Sequence, residues 1–374
     1  MRVLVCATEY YPEGSGIANV AYNVVKELEK IGIECTVCSP SGPDIVLGDS
    51  SLIKRFGILG MIWYWHQVSR YIKANDYDVA WLHNPLFIGQ NPFKKYLVTM
   101  HVTLNGVSKQ KISNSPFLRL YKFISSKIES YCLHRLDSST RYSCVSQTVC
   151  NELKTMGIPL NRITCILNGV DINRFCPTDN KSAIRSKFGL SNDDTVILSV
   201  GRLTPAKQPH IMIKIFSHLE KELGDVTLCI IGNGELLKET RCLAERMGLR
   251  KIIFMGFVDH DQDLPDLYAC ADYYIMTSKY EGLPLTLLEA MASGLPCIVS
   301  DIPNLAIVRD ADCGIIVDYT GADLASEQIL HYLLNQNSEH SQNARKYALE
   351  NLDWHLISEK YLKLFIEIAH GDVS

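Results

Sequence analysis

Two glutamates in one short run, Glu281 and Glu289, have the spacing to bind both ends of an elongated ligand. Residues 285–292 favour a helix, which Gly294 would end and whose first turn Pro284 suits. One carboxylate would lie in the loop before the helix and the other about two turns along it, and the helix start favours an anion. The pattern predicts a ligand with hydroxyls at two places and phosphate between them, such as a nucleotide sugar. The competing interpretation is a pair of solvated surface charges.

Two cations five residues apart, Arg202 and Lys207, follow the predicted strand at 196–201. Pro205 and Pro209 stiffen the loop that contains them. Arginine offers a planar fork of donors and lysine a compact charge, so together they could hold a diphosphate from two directions. Solvated surface charges are again the alternative.

Glycine-containing turns follow three predicted strands. Gly14 and Gly16 precede a helix, where small residues let the backbone approach a phosphate. This turn fails the dinucleotide-binding fingerprint because Asn19 stands where a third glycine is required, and a simple turn is the alternative. Residues 232–234 form another such turn, and residues 256–258 end a strand that could offer backbone contacts to a base.

His101 and His83 end the predicted strands at 96–101 and 78–83. An open α/β sheet binds its ligand at the carboxyl ends of its strands, so His101 is a candidate functional residue and His83 a weaker one. Two structural histidines are the alternative.

Residues 259–263, which are rich in aspartate, could supply oxygen ligands to a hard cation. We favour a turn that caps the following helix, and we expect no metal.

The composition limits the kinds of partner and the compartment that the chain can have. The chain has 374 residues, of which 47% are hydrophobic and 21% charged, and its net charge of −4 gives no general attraction to nucleic acid. Cys35 and Cys38 have the spacing of a redox or zinc pair, but they fall along a predicted strand. The 13 cysteines indicate buried thiols in a reducing compartment. Most fall in predicted apolar strands or directly beside one: Cys6, Cys35, Cys38, Cys144, Cys165, Cys229, Cys297 and Cys313.

Strand and helix patterns alternate twice along the chain, which predicts two Rossmann-like α/β domains with parallel sheets. The predicted strands are 2–8, 33–40, 78–83, 96–101, 141–146 and 163–167, then 196–201, 226–232, 252–257, 273–277, 297–300 and 314–318. We expect domains at 1–170 and 179–352, with a helix at about 354–374 packing back on the first. Their sheets would face a central cleft where ligands bind.

Two stretches of the first predicted domain, 51–74 and 109–135, are both basic and apolar. Such helices can lie on an anionic membrane, although most helices of this kind face a core and solvate their basic side. The chain opens without a signal-peptide pattern and has no apolar run of transmembrane length. We therefore expect a cytoplasmic protein with possible peripheral contact at the inner face of the cell membrane.

Taken together, these segments resemble the family-4 retaining glycosyltransferases of GT-B type over nearly the whole chain. The likeness is carried by residues 14–16, 99–101, 168–171, 200–202 with Lys207, 232–234, 256–258 and 281–296. The most specific signal is the combination of Glu-x₇-Glu with the arginine–lysine pair.

The resemblance implies a role for each candidate residue. Arg202 and Lys207 would bind the donor diphosphate and stabilise it as it leaves. Glu289 would hold the ribose hydroxyls and the backbone around Val258 the base, while His101 would lie beside the reacting face of the sugar. The transferred sugar and its phosphate would be held by Glu281 together with Gly282, Leu283, Pro284 and Leu285. Across the cleft, Gly16 would approach the diphosphate from the first domain.

The implied activity is transfer of a hexose from a UDP- or GDP-sugar to a glycan or lipid-linked acceptor, with retention of configuration and with no metal or other cofactor. A nucleotide-sugar epimerase of the same architecture and a catalytically dead glycan-binding protein are the alternatives. The chain departs from the family in three places: Ser15 separates two glycines, Val102 follows His101 where aspartate is common, and residues 302–306 lack a glycine-rich segment. These differences affect the choice of sugar and acceptor.

Overall fold

The computed structural model describes residues 1–12, 14, 16–109, 115–259, 262–335 and 338–371. The chain divides into two compact units. The first unit comprises Met1–Gly169 together with Trp354–Ser374, and the second comprises Val170–Asp353. Each unit contains one sheet, and every strand pair in both sheets is parallel.

The first unit contains a seven-stranded sheet in the order β3-β2-β1-β4-β5-β6-β7. Its strands are β1 (Arg2–Cys6), β2 (Glu34–Ser39), β3 (Ile45–Val46), β4 (Val79–His83), β5 (Tyr96–Met100), β6 (Arg141–Cys144) and β7 (Ile163–Cys165). The helices between them are α1 (Gly16–Lys30), α2 (Ser50–Phe56), α3 (Ile58–Tyr71), α4 (Leu104–Lys109), α5 (Pro116–His134) and α6 (Gln147–Thr155).

The second unit contains a six-stranded sheet in the order β10-β9-β8-β11-β12-β13. Its strands are β8 (Thr195–Val200), β9 (Val226–Ile231), β10 (Ile252–Gly256), β11 (Tyr273–Met276), β12 (Cys297–Ser300) and β13 (Gly314–Val317). Its helices are α7 (Lys181–Phe188), α8 (Pro209–Leu223), α9 (Leu237–Arg246), α10 (Asp263–Cys270), α11 (Leu285–Ala292), α12 (Ile307–Asp310), α13 (Ala322–Leu334) and α14 (Ser338–Asn351).

The last helix, α15 (Trp354–His370), returns to the first unit and completes its core. The ring of Trp81, at the centre of β4, lies 4.7 Å from the ring of Tyr361 and 5.7 Å from that of Phe365. All three side chains are fully buried. The sheet thus needs residues from both ends of the chain to cover one of its faces.

The predicted α/β fold with parallel sheets is confirmed, and each predicted strand is present within two residues of its predicted bounds. Strand β3 was not predicted, because two residues give no periodicity. Not every cysteine expected inside the sheets is buried, since Cys165 is exposed and Cys35 is half-buried. Cys35 and Cys38 lie on β2, and both are free thiols.

Candidate active site

The second sheet has a topological switch point beside its central strand β8. The chain first adds β9 and β10 on one side of β8, and then β11, β12 and β13 on the other. The loops after β8 and β11 therefore leave the same edge of the sheet and diverge, which opens a crevice between them. Arg202 and Lys207 lie on the first of these loops, and Glu281 lies on the second.

Side-chain and backbone contacts join these two loops. The ammonium of Lys207 forms an ion pair with Oε1 of Glu281, and the two side chains are only 28% and 11% exposed. Thr277 Oγ1 donates to the carbonyl of Lys207 at 2.8 Å, and the Lys279 N–H donates to the carbonyl of Ala206 at 2.8 Å. Since charged partners with low exposure are screened less by water, this pair holds the loops in a defined arrangement.

Arg202 differs from Lys207 in its surroundings. Its side chain is exposed, and no carboxylate of the described residues forms an ion pair with it. Both cations line one small pocket, together with Gly201, Thr277 and Ser278. The Ser278 hydroxyl is buried there and has no hydrogen-bond partner among the described residues, so it is a further polar group of this site that the sequence did not reveal.

Two glycines allow the loops after β8 and β9 to touch. A Cβ atom on Gly232 would lie 2.1 Å from the carbonyl oxygen of Gly201, and one on Gly234 would lie 2.3 Å from that of Leu203. Gly232 also has a φ of +128°, which side chains other than glycine rarely adopt. The glycines at 232–234 thus pack the edge of the site, which explains why small residues occur at this turn.

Helix α11 begins at Leu285, as predicted, with Pro284 at its N-cap position and no side-chain cap. The backbone N–H groups of its first turn can therefore serve an anion. Glu289 is the fifth residue of the helix, just over one turn from its start rather than two turns. Gly294, with a φ of +72°, follows the helix as expected.

Glu289 points to a buried polar group rather than to open solvent. Its side chain is 5% exposed, and Oε2 accepts a hydrogen bond of 3.0 Å from Tyr268 of α10. Burial, followed by the charge of Glu289, raises the pKa of Tyr268 well above its ordinary value, so the phenol remains a donor. An ionised carboxylate has acceptor capacity beyond one bond, so this contact is compatible with a further hydroxyl partner.

Asn304 holds the Glu281 loop from the next strand along the sheet. It follows β12, is 6% exposed, and donates from Nδ2 to the backbone carbonyl of Glu281. The side chain of Glu281 therefore remains available for Lys207 while its backbone is fixed. Asn304 lies in the 302–306 segment, where the chain departs from the family. No local sequence pattern indicated this contact.

The end of β10 lies beside the glycine turn that follows β9. Gly256 ends β10 and accepts a 2.7 Å hydrogen bond from the Gly232 N–H, while Val258 follows it and is half-buried. Asp259 Oδ1 accepts from the Gln262 N–H at 3.1 Å, and the Asp259 carbonyl accepts from the Asp263 N–H at the start of α10. His260 and Asp261 lie outside the described residues. Elsewhere in the described chain, no cluster of three or more histidine, cysteine or acidic side chains is placed to hold a metal.

In the first unit, the candidate residues also lie at carboxyl ends of strands. Gly16 is the first residue of α1, which follows β1, and Gly14 packs so closely that a Cβ would lie 2.7 Å from Ala18. Ser15 lies outside the described residues. His101 directly follows β5, and its N–H donates to Asn84 Oδ1 at 3.0 Å.

His101 and His83 form a buried pair. Because β4 and β5 are neighbours, the two rings stack at their carboxyl ends, with His83 Nδ1 2.9 Å from His101 Nε2. Burial lowers the pKa of His101 to about 3, and burial together with the nearby His101 lowers the pKa of His83 well below its ordinary value. Both rings are therefore neutral at neutral pH, so one nitrogen of the pair donates and the other accepts.

Comparison with known proteins shows which protein family the chain is similar to. The model for glycosyl transferases group 1 matches residues 180–351, and the model for Glycosyltransferase Family 4 matches residues 14–174. The chain is also similar to a UDP-Gal:alpha-D-GlcNAc-diphosphoundecaprenol alpha-1,3-galactosyltransferase of Escherichia coli. The two are 25% identical over 346 residues, which are 86% of this chain and 86% of that protein.

Two solved structures share the fold. WaaG, described as a glycosyltransferase involved in lipopolysaccharide biosynthesis, superposes with a TM-score of 0.78 at 19% identity, covering 97% of this chain and 99% of that one. Anabaena HepE, in complex with UDP and glucose, superposes with a TM-score of 0.75 at 17% identity, covering 98% and 100%. With the two family models matched to adjoining segments and this fold in both structures, the chain belongs to the family-4 glycosyltransferases of GT-B fold.

Proposed function

We propose that the enzyme transfers a hexose from a UDP- or GDP-sugar, with retention of configuration and without a metal, to a glycan or lipid-linked acceptor. The observation that carries the proposal is the bridge between Lys207 and Glu281 at the switch point, with the exposed Arg202 on the same pocket. A cation beside a carboxylate suits a ligand that presents phosphate and sugar hydroxyls together. Open α/β sheets bind ligands at such a point.

In the proposed complex, the donor diphosphate lies against Arg202 and Lys207. As the bond to the sugar breaks, negative charge develops on the diphosphate, and both cations and the N–H groups at the start of α11 stabilise it. These groups supply the positive charge that a metal would otherwise provide. Glu289 accepts from the ribose hydroxyls, the backbone at Val258 contacts the base, and Glu281 accepts from the transferred sugar.

Retention follows, in this proposal, from attack of the acceptor on the face that the diphosphate leaves. Neither Glu281 nor Glu289 acts as a nucleophile, because Glu281 is paired with Lys207 and Glu289 with Tyr268. His101 would present a neutral imidazole to the sugar, since burial lowers its pKa to about 3. The alpha-1,3 linkage named for the Escherichia coli relative supports an α-linked product.

A lipid-linked acceptor is favoured by the same relative, whose named acceptor is a diphosphoundecaprenol-linked sugar. We infer that this enzyme meets its acceptor at a membrane, through the first unit and on the cytoplasmic side. All 13 cysteines are free thiols, as expected in a reducing compartment. The family matches and the relatives described above give no support to the epimerase alternative.

A donor screen tests the proposal. The protein is incubated with UDP-glucose, UDP-galactose, UDP-GlcNAc or GDP-mannose, with and without EDTA and with a diphosphopolyprenol-linked acceptor, while nucleotide release is measured. We expect one donor to turn over, EDTA to leave the rate unchanged, and NMR of the product to show an α linkage. A β linkage would contradict retention, loss of activity in EDTA would contradict metal independence, and isomerised donor without transfer would favour an epimerase.

A further inference from the structure

Helix α5 leaves a large apolar surface uncovered. Its buried face begins only at Ser125 and continues through Ser126, Glu129, Cys132 and Leu133. Before that point six apolar side chains are exposed: Phe117 by 79%, Leu118 by 37%, Leu120 by 57%, Tyr121 by 38%, Phe123 by 56% and Ile124 by 48%. Arg119 and Lys122 interrupt this run, and the six apolar positions cover more than half of the circumference of the helix. The first half of α5 is therefore not the core-facing helix that the sequence allowed.

Helices α2 and α3 extend this surface. The Ile58 N–H, at the start of α3, donates to the Tyr121 hydroxyl at 3.0 Å, so the junction of α2 and α3 lies against α5. Four more apolar side chains are exposed on these two helices, within six residues of the junction in sequence: Leu52 by 37%, Phe56 by 51%, Leu59 by 63% and Trp63 by 37%. We call these ten side chains the α2–α5 surface. Apolar side chains that are exposed in a group, rather than singly, indicate an interaction site.

The charges around the α2–α5 surface have one sign. Helices α2, α3 and α5 contain six lysines and arginines, two in α2, one in α3 and three in α5. Their one carboxylate is Glu129, which is buried. The nearest acid before α2, Asp49, is bound to the Ser51 and Leu52 N–H groups as the helix cap. The surface is thus basic on a chain whose net charge is −4.

We propose that the α2–α5 surface docks on an anionic lipid bilayer. Aromatic and aliphatic side chains would enter the headgroup region while lysines and arginines meet anionic lipid, which is the composition expected of an interfacial helix. A second copy of this chain fits less well, because a symmetric contact would place basic residues against basic residues. Within the described residues, no helix combines the length and the apolar composition that are needed to cross a bilayer.

Docking would act close to His101 of the same unit. The buried Glu129 of α5 accepts a hydrogen bond of 3.2 Å from the Asn105 N–H in the first turn of α4. That helix begins at Leu104, three residues after His101. The docked helix is therefore tied to the segment that follows His101. In this respect the inference rests on the proposed function, because a lipid-linked acceptor would be presented at the bilayer.

Vesicle co-sedimentation of the full chain tests the proposal. We expect binding to phosphatidylcholine vesicles that contain phosphatidylglycerol, and weak binding to phosphatidylcholine alone. The double change Phe117→Ser with Phe123→Ser should lower binding about tenfold or more, as should Arg119→Glu with Lys127→Glu. Leu324→Ser is the matched control, since Leu324 of the second unit is 78% exposed and should leave binding unchanged. Thermal unfolding checks that each variant folds.

Three results would overturn the proposal. The first is equal binding to both vesicle types, the second is loss of binding with Leu324→Ser, and the third is unchanged binding of both double variants. A concentration-dependent dimer that the Phe117/Phe123 variant dissolves would assign the surface to a second copy instead. Donor turnover measured without vesicles separates the two proposals. Vesicle binding without turnover of any donor would contradict the proposed function and leave docking intact.

Discussion

Lys207 and Glu281 form an ion pair that links the loop after β8 to the loop after β11. The two residues are 74 positions apart in the chain, yet their pairing fixes the crevice at the switch point. In the proposed complex, a diphosphate would offer Lys207 a second anion beside Arg202. The pair would then orient the ammonium before the donor binds, which is the arrangement that electrostatic catalysis requires.

Changing Lys207→Ala should lower turnover about 100-fold or more, because charge on the departing diphosphate would lose one of its two cations. Nucleotide release under donor saturation measures the effect. Lys214→Ala is the control, since Lys214 is an exposed lysine farther along α8. Equal rates for the two variants would remove Lys207 from the proposed site.

Asn304→Ala should raise the donor KM by roughly fivefold, because a lost hydrogen bond of this kind is worth about 1 kcal/mol and the Glu281 backbone would be less well held. A double-mutant cycle with Glu281→Gln isolates the coupling. We expect the double variant to be less impaired than the two single effects predict together, since both act on one loop. Strict additivity would mean that Asn304 does not act through Glu281.

His83→Phe should lower kcat more than it changes the donor KM, because it keeps a ring beside His101 but removes the nitrogen that fixes its tautomer. The other nitrogen of His83, Nε2, is buried and has no partner among the described residues. Burying a ring nitrogen without a donor costs less free energy than burying an N–H without an acceptor. We therefore expect the proton of His83 on Nδ1, where it donates to Nε2 of His101. The proton of His101 is then on its own Nδ1. Nitrogen NMR of labelled protein should show this single tautomer in the parent and a mixture in His83→Phe.

The same pair predicts a pH dependence of stability. Both pKa values lie below the ordinary histidine value of 6.5, so as the pH falls below it the unfolded chain takes up protons that the folded chain does not. The free energy of unfolding should therefore decrease below about pH 6.5, and less so in His83→Phe. Chemical denaturation at several pH values measures the difference, and parallel curves would contradict the assignment.

Glu129→Gln should flatten the pH dependence of stability at higher pH. Burial raises the pKa of Glu129 from 4.5 to about 7, so between these values the folded chain holds a proton that the unfolded chain has lost. Stability should therefore fall as the pH rises through this window. Glutamine keeps an oxygen for the Asn105 N–H without a charge, so the variant should melt a few degrees above the parent at pH 8. Glu350→Gln, at an exposed position, should not.

The sequence predicted those parts of the molecule that local patterns specify. Helix α11 has the predicted bounds because Pro284 and Gly294 mark its two ends. The buried strands were found because runs of β-branched and aliphatic residues alternate with helical segments. Glu289 lies just over one turn along α11 rather than the predicted two, because three of the seven residues between Glu281 and Glu289 belong to the loop before the helix.

Contacts between distant segments could not be predicted in this way. Asn304 donates to the backbone carbonyl of Glu281. Every residue type has such a carbonyl, so the sequence gives no sign of this contact. The pairing of His83 with His101 depends on β4 lying next to β5, and no local pattern gives the order of strands in a sheet. The exposure of Phe117 and Phe123 likewise depends on which side of α5 the sheet covers. Such relationships require the fold.

The return of α15 to the first unit has a consequence for biosynthesis. Domains usually fold in the order in which the ribosome releases them. Here Tyr361 and Phe365, which cover Trp81 of the first sheet, are translated after the whole of the second unit. The unit that is made first therefore completes its core last, and a nascent chain would hold a finished second unit beside a first unit whose sheet still lacks part of its cover.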